Sequence, residues 1–315
     1  MSQKILFIDT THPVLSQLLE EAGFSCEHFY GLNLSDLVSI IGNYHGVIVR
    51  SKFSLDKELL SKAIKLKFIG RVGAGMENID LEYAAERNIV CFNAPEGNRD
   101  AVGEHSLGML LALNNKLLIA DAEVRNGIWK REENRGTEIQ GKTIGIIGYG
   151  NMGSAFAQRL SGFGATVLAY DKYKKGFGTS QVKEVKMDVL FEKADIVSLH
   201  IPLTDETRYL VNDEWIERFK KNIVLINTSR GKIVKTSAVV KGLKSGNING
   251  ACLDVLEYEK TSFENLYKSE LPDDFQYLIK SDRVILSPHI AGWTHESNRK
   301  LAEVISRKII RKFAQ

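Results

Sequence analysis

Residues Gly148-Tyr149-Gly150-Asn151-Met152-Gly153 constrain this chain more than any other stretch, because they read G-x-G-x-x-G in a telling context. The run Lys142–Ile147 before them reads as a buried strand. The apolar-periodic segment Ser154–Phe163 after them reads as a helix. Ala165–Tyr170 then reads as a second strand, and it ends on Asp171. Strand, glycine turn, helix, strand, acid is the order of a dinucleotide-binding βαβ unit. The glycines permit a tight turn and a close approach to a pyrophosphate, which sits on the amides of the helix N-terminus. Asp171 falls 18 residues after Gly153, where an acid accepts from a free adenosine ribose hydroxyl and repels a 2′-phosphate. The expected cofactor is therefore NAD rather than NADP, with Lys172 partly offsetting that preference. A plain tight turn is the other reading of the glycines, and the four flanking elements argue against it.

With 315 residues the chain exceeds what one hydrophobic core usually serves, so two domains are expected. Lys plus Arg number 42 against 39 Asp plus Glu, a balance that gives no reason to expect nucleic acid. No apolar run approaches a membrane span, and Lys4–Asp9 is too short for a signal peptide. The three cysteines, Cys26, Cys91 and Cys252, are far apart and read as reduced, buried residues of a cytoplasmic protein. No clustered ligands point to a metal.

Short apolar strands alternate with helical stretches, which implies an α/β fold with parallel sheets. The first block carries strands at Ile5–Ile8, Ser25–Phe29, Gly46–Val49, Lys67–Gly70 and Ile89–Cys91. A long helix is expected from about Asp100 to Asn126. Its leucines exceed what a solvated helix carries, so part of it is expected in a subunit interface of a homodimer or higher oligomer. A polar connection, Ile128 to Gln140, leads to a second block. Strands are expected there at Thr143–Ile147, Thr166–Tyr170, Ile196–His200, Ile223–Asn227, Asn249–Leu253 and Val284–Leu286. An amphipathic helix, Glu296 to Phe313, closes the chain.

Arg230, Glu259 and His289 each follow a predicted strand, and ligands of open parallel sheets bind at the carboxyl ends of strands. An arginine, an acid and a histidine converging there suit hydride transfer at an alcohol carbon: a base takes the hydroxyl proton and a cation holds a carboxylate. Each residue also has a plainer reading. Arg230 fits a surface ion pair, Glu259 a solvated loop, and His289 a strand-end histidine bonded to a carbonyl.

The chain resembles the D-2-hydroxyacid dehydrogenases, and most of all their phosphoglycerate dehydrogenase branch. The matching segments are Val49–Ser51, Gly70–Asp80, Gly97-Asn98 with Ala101–Glu104, Gly148–Gly153, His200–Leu203, Asn227–Gly231, Leu253–Val255 and Pro288–Gly292. The resemblance implies two Rossmann-like or flavodoxin-like domains with the active site in their cleft. Residues 98–288 would form the NAD-binding domain, inserted in a substrate domain of residues 1–97 and 289–315. It assigns the substrate carboxylate to Arg230, the acid/base role to His289 and the supporting glutamate to Glu259 rather than Glu257. Cofactor contacts fall on Gly148, Tyr149, Gly150, Asn151, Met152, Gly153, Asp171, His200, Pro202, Thr207, Thr228, Asp254 and Gly292. Substrate contacts fall on Arg50, Ser51, Arg71, Val72, Gly73, Ala74, Gly75 and Asn78, with amides available at Gly73, Ala74 and Gly75. Arg50 and Arg71 match arginines near the substrate phosphate of that branch.

Several positions depart from the family's pattern: Glu77 for aspartate, Lys260 for proline, Lys235 for an acid, and a longer Thr261–Asp282 segment expected to add a short helix. The chain stops at Gln315, so serine feedback through a C-terminal regulatory domain is not expected. The resemblance implies oxidation of 3-phospho-D-glycerate to 3-phosphohydroxypyruvate, the entry to serine biosynthesis. A glyoxylate or hydroxypyruvate reductase is the alternative of the same class, and a non-enzymatic, corepressor-like NAD-binding scaffold the alternative of another.

Overall fold

A computed structural model describes residues 2–259 and 272–314. The described residues divide into two compact units, residues 2–99 with 293–314 and residues 100–259 with 272–292. Each unit is built on one sheet of parallel strands with helices on both faces.

In the first unit the strands are β1 (Lys4–Phe7), β2 (Ser25–His28), β3 (Gly46–Val49), β4 (Phe68–Arg71) and β5 (Val90–Phe92), in the order β2-β1-β3-β4-β5. Strand β3 is buried along its whole length, as the uninterrupted apolar run Gly46–Val49 requires of a strand covered on both faces. One face packs Leu6, Val47, Val49 and Ile69 with Leu37 and Leu59. The other packs Ile5, Phe7, Ile48 and Phe68 against Ala302, Ile305 and Ile309 of the closing helix His295–Phe313. That helix starts on a capping box in which Thr294 and Ser297 exchange hydrogen bonds.

The second unit carries β6 (Thr143–Ile147), β7 (Thr166–Tyr170), β8 (Val182–Glu184), β9 (Ile196–Leu199), β10 (Ile223–Asn227), β11 (Ile248–Leu253) and β12 (Val284–Leu286). Their order is β12-β11-β10-β9-β6-β7-β8. The chain winds outward from β6 in one direction and from β9 in the other, so the strand order reverses between β6 and β9. Such a switch point leaves a crevice at the strand ends.

Sequence reading missed β8. It is a three-residue edge strand, exposed at Lys183, so it has no apolar run to announce it. The expected Asp100–Asn126 helix is two helices, Pro95–Asn114 and Leu117–Arg125. Pro95 opens the first, since its missing N–H costs nothing there. The break falls at Lys116, in the left-handed region at φ 50°. The helix after the glycine turn begins at Asn151, not Ser154. Lys260 and the first half of the longer Thr261–Asp282 segment, residues 261–271, lie outside the described residues, and the second half carries the helix Asp273–Lys280. Of the cysteines, Cys252 is buried, but Cys26 and Cys91 are only half-buried. Residues 289–292 group with the second unit rather than with a substrate domain beginning at His289, for a reason visible at Asp254 below. No helix among the described residues is long and apolar enough to cross a membrane. No group of three metal-ligating side chains occurs among them.

Candidate functional site

The glycine turn leaves β6 at the switch point. Gly148 sits at φ 90°, and a Cβ there would come within 2.4 Å of the His200 carbonyl oxygen at the end of β9. A Cβ on Gly153 would lie 2.0 Å from the Gly148 oxygen. These two glycines are demanded by the fold. Gly150 is different: a Cβ there meets nothing within 4 Å, so its bare face opens outward at the start of the helix Asn151–Arg159. Open space over glycine at a helix N-terminus fits a pyrophosphate.

Asp171, just past β7, binds this turn directly. Its Oδ2 accepts from the Tyr149 amide at 2.8 Å, and its Oδ1 accepts from the Tyr173 and Lys174 amides at 2.9 Å each. Burial alone would raise this carboxyl. The amides of Lys174, Tyr173 and Tyr149, with the charge of Lys174, outweigh burial and hold it below the usual aspartate range. Lys172 points its charge elsewhere, since its Nζ donates to Glu206 at 2.7 Å.

His200 is partly accessible as a residue, but its Nδ1 is buried and lacks a hydrogen-bond partner among the described residues. Its Nε2 pairs with Ser198 Oγ at 2.8 Å, and Phe156 packs on the ring at 5.5 Å. Burial pushes its pKa down to about 3, so the ring is neutral at ordinary pH. Thr207 turns its hydroxyl back to the Pro202 carbonyl at 2.7 Å, closing the loop after β9. Thr228 at the end of β10 shares a hydrogen bond with the buried Ser106 at 3.0 Å.

Arg230, Glu259 and His289 follow β10, β11 and β12, three neighbouring strands at one end of the sheet. Asn227 shapes the first turn: its Oδ1 accepts from the Ser229 amide and hydroxyl, and its Nδ2 donates to the Arg230 carbonyl. A Cβ on Gly231 would lie 2.0 Å from the backbone of Leu256, so glycine lets the Arg230 turn press against the Leu256–Glu259 turn. The His289 Nδ1 lies 2.7 Å from Glu259 Oε2. Glu257 faces away from the pair and accepts from the Thr236 amide at 2.7 Å.

The loop bearing His289 hangs on Asp254. This carboxylate is 1% exposed. Oδ1 accepts from the Ser287 hydroxyl at 2.6 Å and the Ile290 amide at 2.9 Å; Oδ2 accepts from the Ala291 amide at 2.9 Å. The His289 amide donates to the Asp254 carbonyl at 2.7 Å, which holds His289 at φ 55°, a backbone region that is uncommon for a side chain this size. This tethering explains why residues 289–292 belong to the second unit. His105 Nε2 stands 3.0 Å from Ser287 Oγ. Sequence reasoning missed His105, Ser106 and Ser287, because nothing in their spacing distinguishes them from ordinary helix and strand-end residues.

In the first unit, Arg50 follows β3 and Arg71 ends β4, with Val49 opposite Arg71 in the register. Asp9 Oδ2 accepts from the Arg50 amide at 2.5 Å and also from the Ser51 and Lys52 amides. Asn78 Nδ2 donates to the Arg50 and Phe53 carbonyls, so this side chain braces the loop. The Arg71 guanidinium folds over its own loop: a Cβ on Gly73 would lie 1.4 Å from Nη1. The expectation of three available amides is corrected here. The Gly73 amide donates to the Arg71 carbonyl at 2.9 Å, and Val72 is buried with its amide on Val49. Of the three, the Ala74 and Gly75 amides remain for a ligand.

A doubly wound sheet with a glycine turn at its switch point, an acid on the next strand and a histidine–carboxylate pair at its far end is the architecture of a nicotinamide-dependent dehydrogenase. Known proteins agree. Residues 107–291 match the family described as D-isomer specific 2-hydroxyacid dehydrogenase, NAD binding domain. The chain is 33% identical over 309 residues to the D-3-phosphoglycerate dehydrogenase of Archaeoglobus fulgidus, covering 98% of this chain and 56% of that protein. It is 38% identical over 265 residues to the glyoxylate reductase of Thermococcus litoralis, covering 81% of this chain and 76% of that one. The crystal structure of D-lactate dehydrogenase from Aquifex aeolicus, complexed with NAD and lactic acid, superposes with a TM-score of 0.84 at 29% identity, covering 97% of this chain and 94% of that one. The chain belongs to the D-isomer specific 2-hydroxyacid dehydrogenase family. It spans little more than half the length of the phosphoglycerate dehydrogenase it matches.

Proposed function

We propose that this protein interconverts a D-2-hydroxy acid and its 2-oxo acid with NAD, and that 3-phospho-D-glycerate is the hydroxy acid. The observation that carries the reading is the His289–Glu259 pair at 2.7 Å, on the strand ends beside Arg230 and in the sheet that carries the glycine turn. Residues 98–288 are the proposed NAD-binding domain, and residues 1–97 with the C-terminal helix the substrate domain.

Gly148–Gly153 would hold the pyrophosphate and Asp171 the adenosine ribose, with His200, Pro202, Thr207, Thr228, Asp254 and Gly292 around the remainder. When bound, NAD supplies the hydride acceptor. Arg230 holds the substrate carboxylate with its planar fork. Because His289 Nδ1 is committed to Glu259, Nε2 is the atom that takes the hydroxyl proton in oxidation and returns it in reduction. The Glu259 carboxylate balances the imidazolium formed. Ser51, Val72, Ala74, Gly75 and Asn78 shape the substrate loop. Arg50 is assigned to the phosphate, and Arg71, lying over Gly73, joins that charge to the loop.

The likeness to a glyoxylate reductase favours a second reading, a glyoxylate or hydroxypyruvate reductase. Nicotinamide absorbance with a panel of 2-hydroxy and 2-oxo acids separates the two. Preference for 3-phosphoglycerate and 3-phosphohydroxypyruvate supports the first. Preference for glyoxylate or hydroxypyruvate supports the second. NAD binding with no turnover on any acid supports a scaffold. The exposed Leu117, Leu118, Val124, Ile128 and Trp129 support a homodimer through this face, and a monomer by light scattering at micromolar concentration would contradict it.

A further inference from the structure

We propose that Trp293 is a specificity-determining residue, which orients Arg50 for the phosphate of a phosphorylated acid; the inference rests on the phosphoglycerate reading above. Trp293 follows the His289 loop by a single glycine and lies in the first unit with Arg50. The indole is 67% exposed, unusual for a side chain that is highly buried on average. The Arg50 guanidinium carbon lies 4.2 Å from the centre of its ring, a cation–π stack.

The backbone beneath this guanidinium is held as well. One carboxylate oxygen of Asp9 collects the amides of Arg50, Ser51 and Lys52, and Asn78 grips the Arg50 carbonyl. Arg50 Nη1 also reaches the Thr10 carbonyl at 3.4 Å. The neighbouring Lys52 turns away, its Nζ on the Tyr30 carbonyl. An arginine held on an indole face has its planar fork kept in one orientation. That is the geometry that meets a phosphate with two parallel hydrogen bonds. The stack also removes rotamer freedom before the ligand arrives, so less is lost on binding. A small residue at position 293 would leave the charge present but unaimed. Trp293 therefore selects for substrates with an anionic far end over short acids that lack one.

The test compares the unmodified protein with W293A and W293F on 3-phosphoglycerate or 3-phosphohydroxypyruvate and on glyoxylate. W293A is expected to lower the ratio of kcat/KM for phosphorylated over unphosphorylated acid about five-fold, through KM, as loss of an exposed cation–π contact implies. W293F, which keeps an aromatic face, should restore most of the ratio. Tryptophan emission should also change on titration with 3-phosphoglycerate, and that component should vanish in W293F, which retains Trp129 and Trp215. A ratio unmoved in W293A, in an enzyme that does prefer the phosphorylated acid, overturns the role of Trp293 and leaves the substrate reading standing. An unmodified enzyme that turns over glyoxylate but not the phosphorylated acids overturns the substrate reading and this inference with it. Equal rises of KM on both substrates would show the stack to be structural and overturn its role in specificity.

Discussion

Replacing Asp254 by asparagine isolates what holds the histidine loop. The carboxylate is buried and accepts from Ser287, Ile290 and Ala291. An amide of the same shape keeps one oxygen and substitutes an NH2 for the other. If the nitrogen takes the Oδ2 position, two donors face each other at the 2.9 Å that now separates Oδ2 from the Ala291 amide. If it takes the Oδ1 position, the Ser287 hydroxyl can rotate to accept, but the Ile290 amide is orphaned. Either way one buried backbone donor loses its acceptor and the remaining bonds lose their charge. Such a loss costs roughly 3 kcal/mol. For a unit of this size that corresponds to a fall in Tm of about 6–12 °C.

The functional consequence should be specific, because the carboxylate holds the residues on both sides of His289, namely Ser287, Ile290 and Ala291. Turnover at saturating NAD should fall by ~100-fold or more, as expected when a general acid/base is misplaced. The NAD dissociation constant, measured by nucleotide fluorescence, should rise by a smaller factor than turnover falls, even though Asp254 is also proposed to lie on the cofactor side. Family resemblance had placed Asp254 on the cofactor side. D254N with full turnover and a much weakened hold on NAD would refute the anchoring role and leave only the cofactor-side one.

Other predictions follow from the same geometry. Asp171→Ala should narrow the preference for NAD over NADP, measured as the ratio of kcat/KM. Adding Glu206→Ala should narrow it further by releasing Lys172, and equal use of both cofactors by the unmodified protein would sink the argument. His289→Ala should cost ~100-fold or more in turnover while NAD still binds; near-full activity would exclude the assignment. His200 titrates near 6.5 when unfolded and near 3 when folded. Below pH 6.5 the unfolded chain therefore binds a proton that the native ring refuses, and stability falls progressively as pH drops toward 3. Urea midpoints of His200→Asn should fall less steeply with acid, and parallel slopes would argue against the buried neutral ring.

Periodicity and punctuation in the sequence determined most of the architecture, because each strand–turn–helix unit is a local decision. Strands such as Gly46–Val49 are buried along their whole length, so they read as continuous apolar runs. Gly148 and Gly153 have no alternative residue, since a Cβ at either collides with backbone. The order of Arg230, Glu259 and His289 along the chain pointed to one sheet edge once the strands were seen to be parallel. Tertiary structure decided what spacing cannot encode. Edge strand β8 owes its place to pairing with β7 rather than to its own residues. That Glu259 and not Glu257 meets His289, as the resemblance implies, has its physical cause in how the turn after β11 aims the two carboxylates. Asn78, Thr207 and Asp254 spend their polar atoms on their own loops, and His105 joins Ser287 across 182 residues of sequence. Arg50 and Arg71 look alike in the sequence and end on neighbouring strands. Only the folded chain sets one on an indole and folds the other over Gly73, because side-chain direction is settled by what packs nearby.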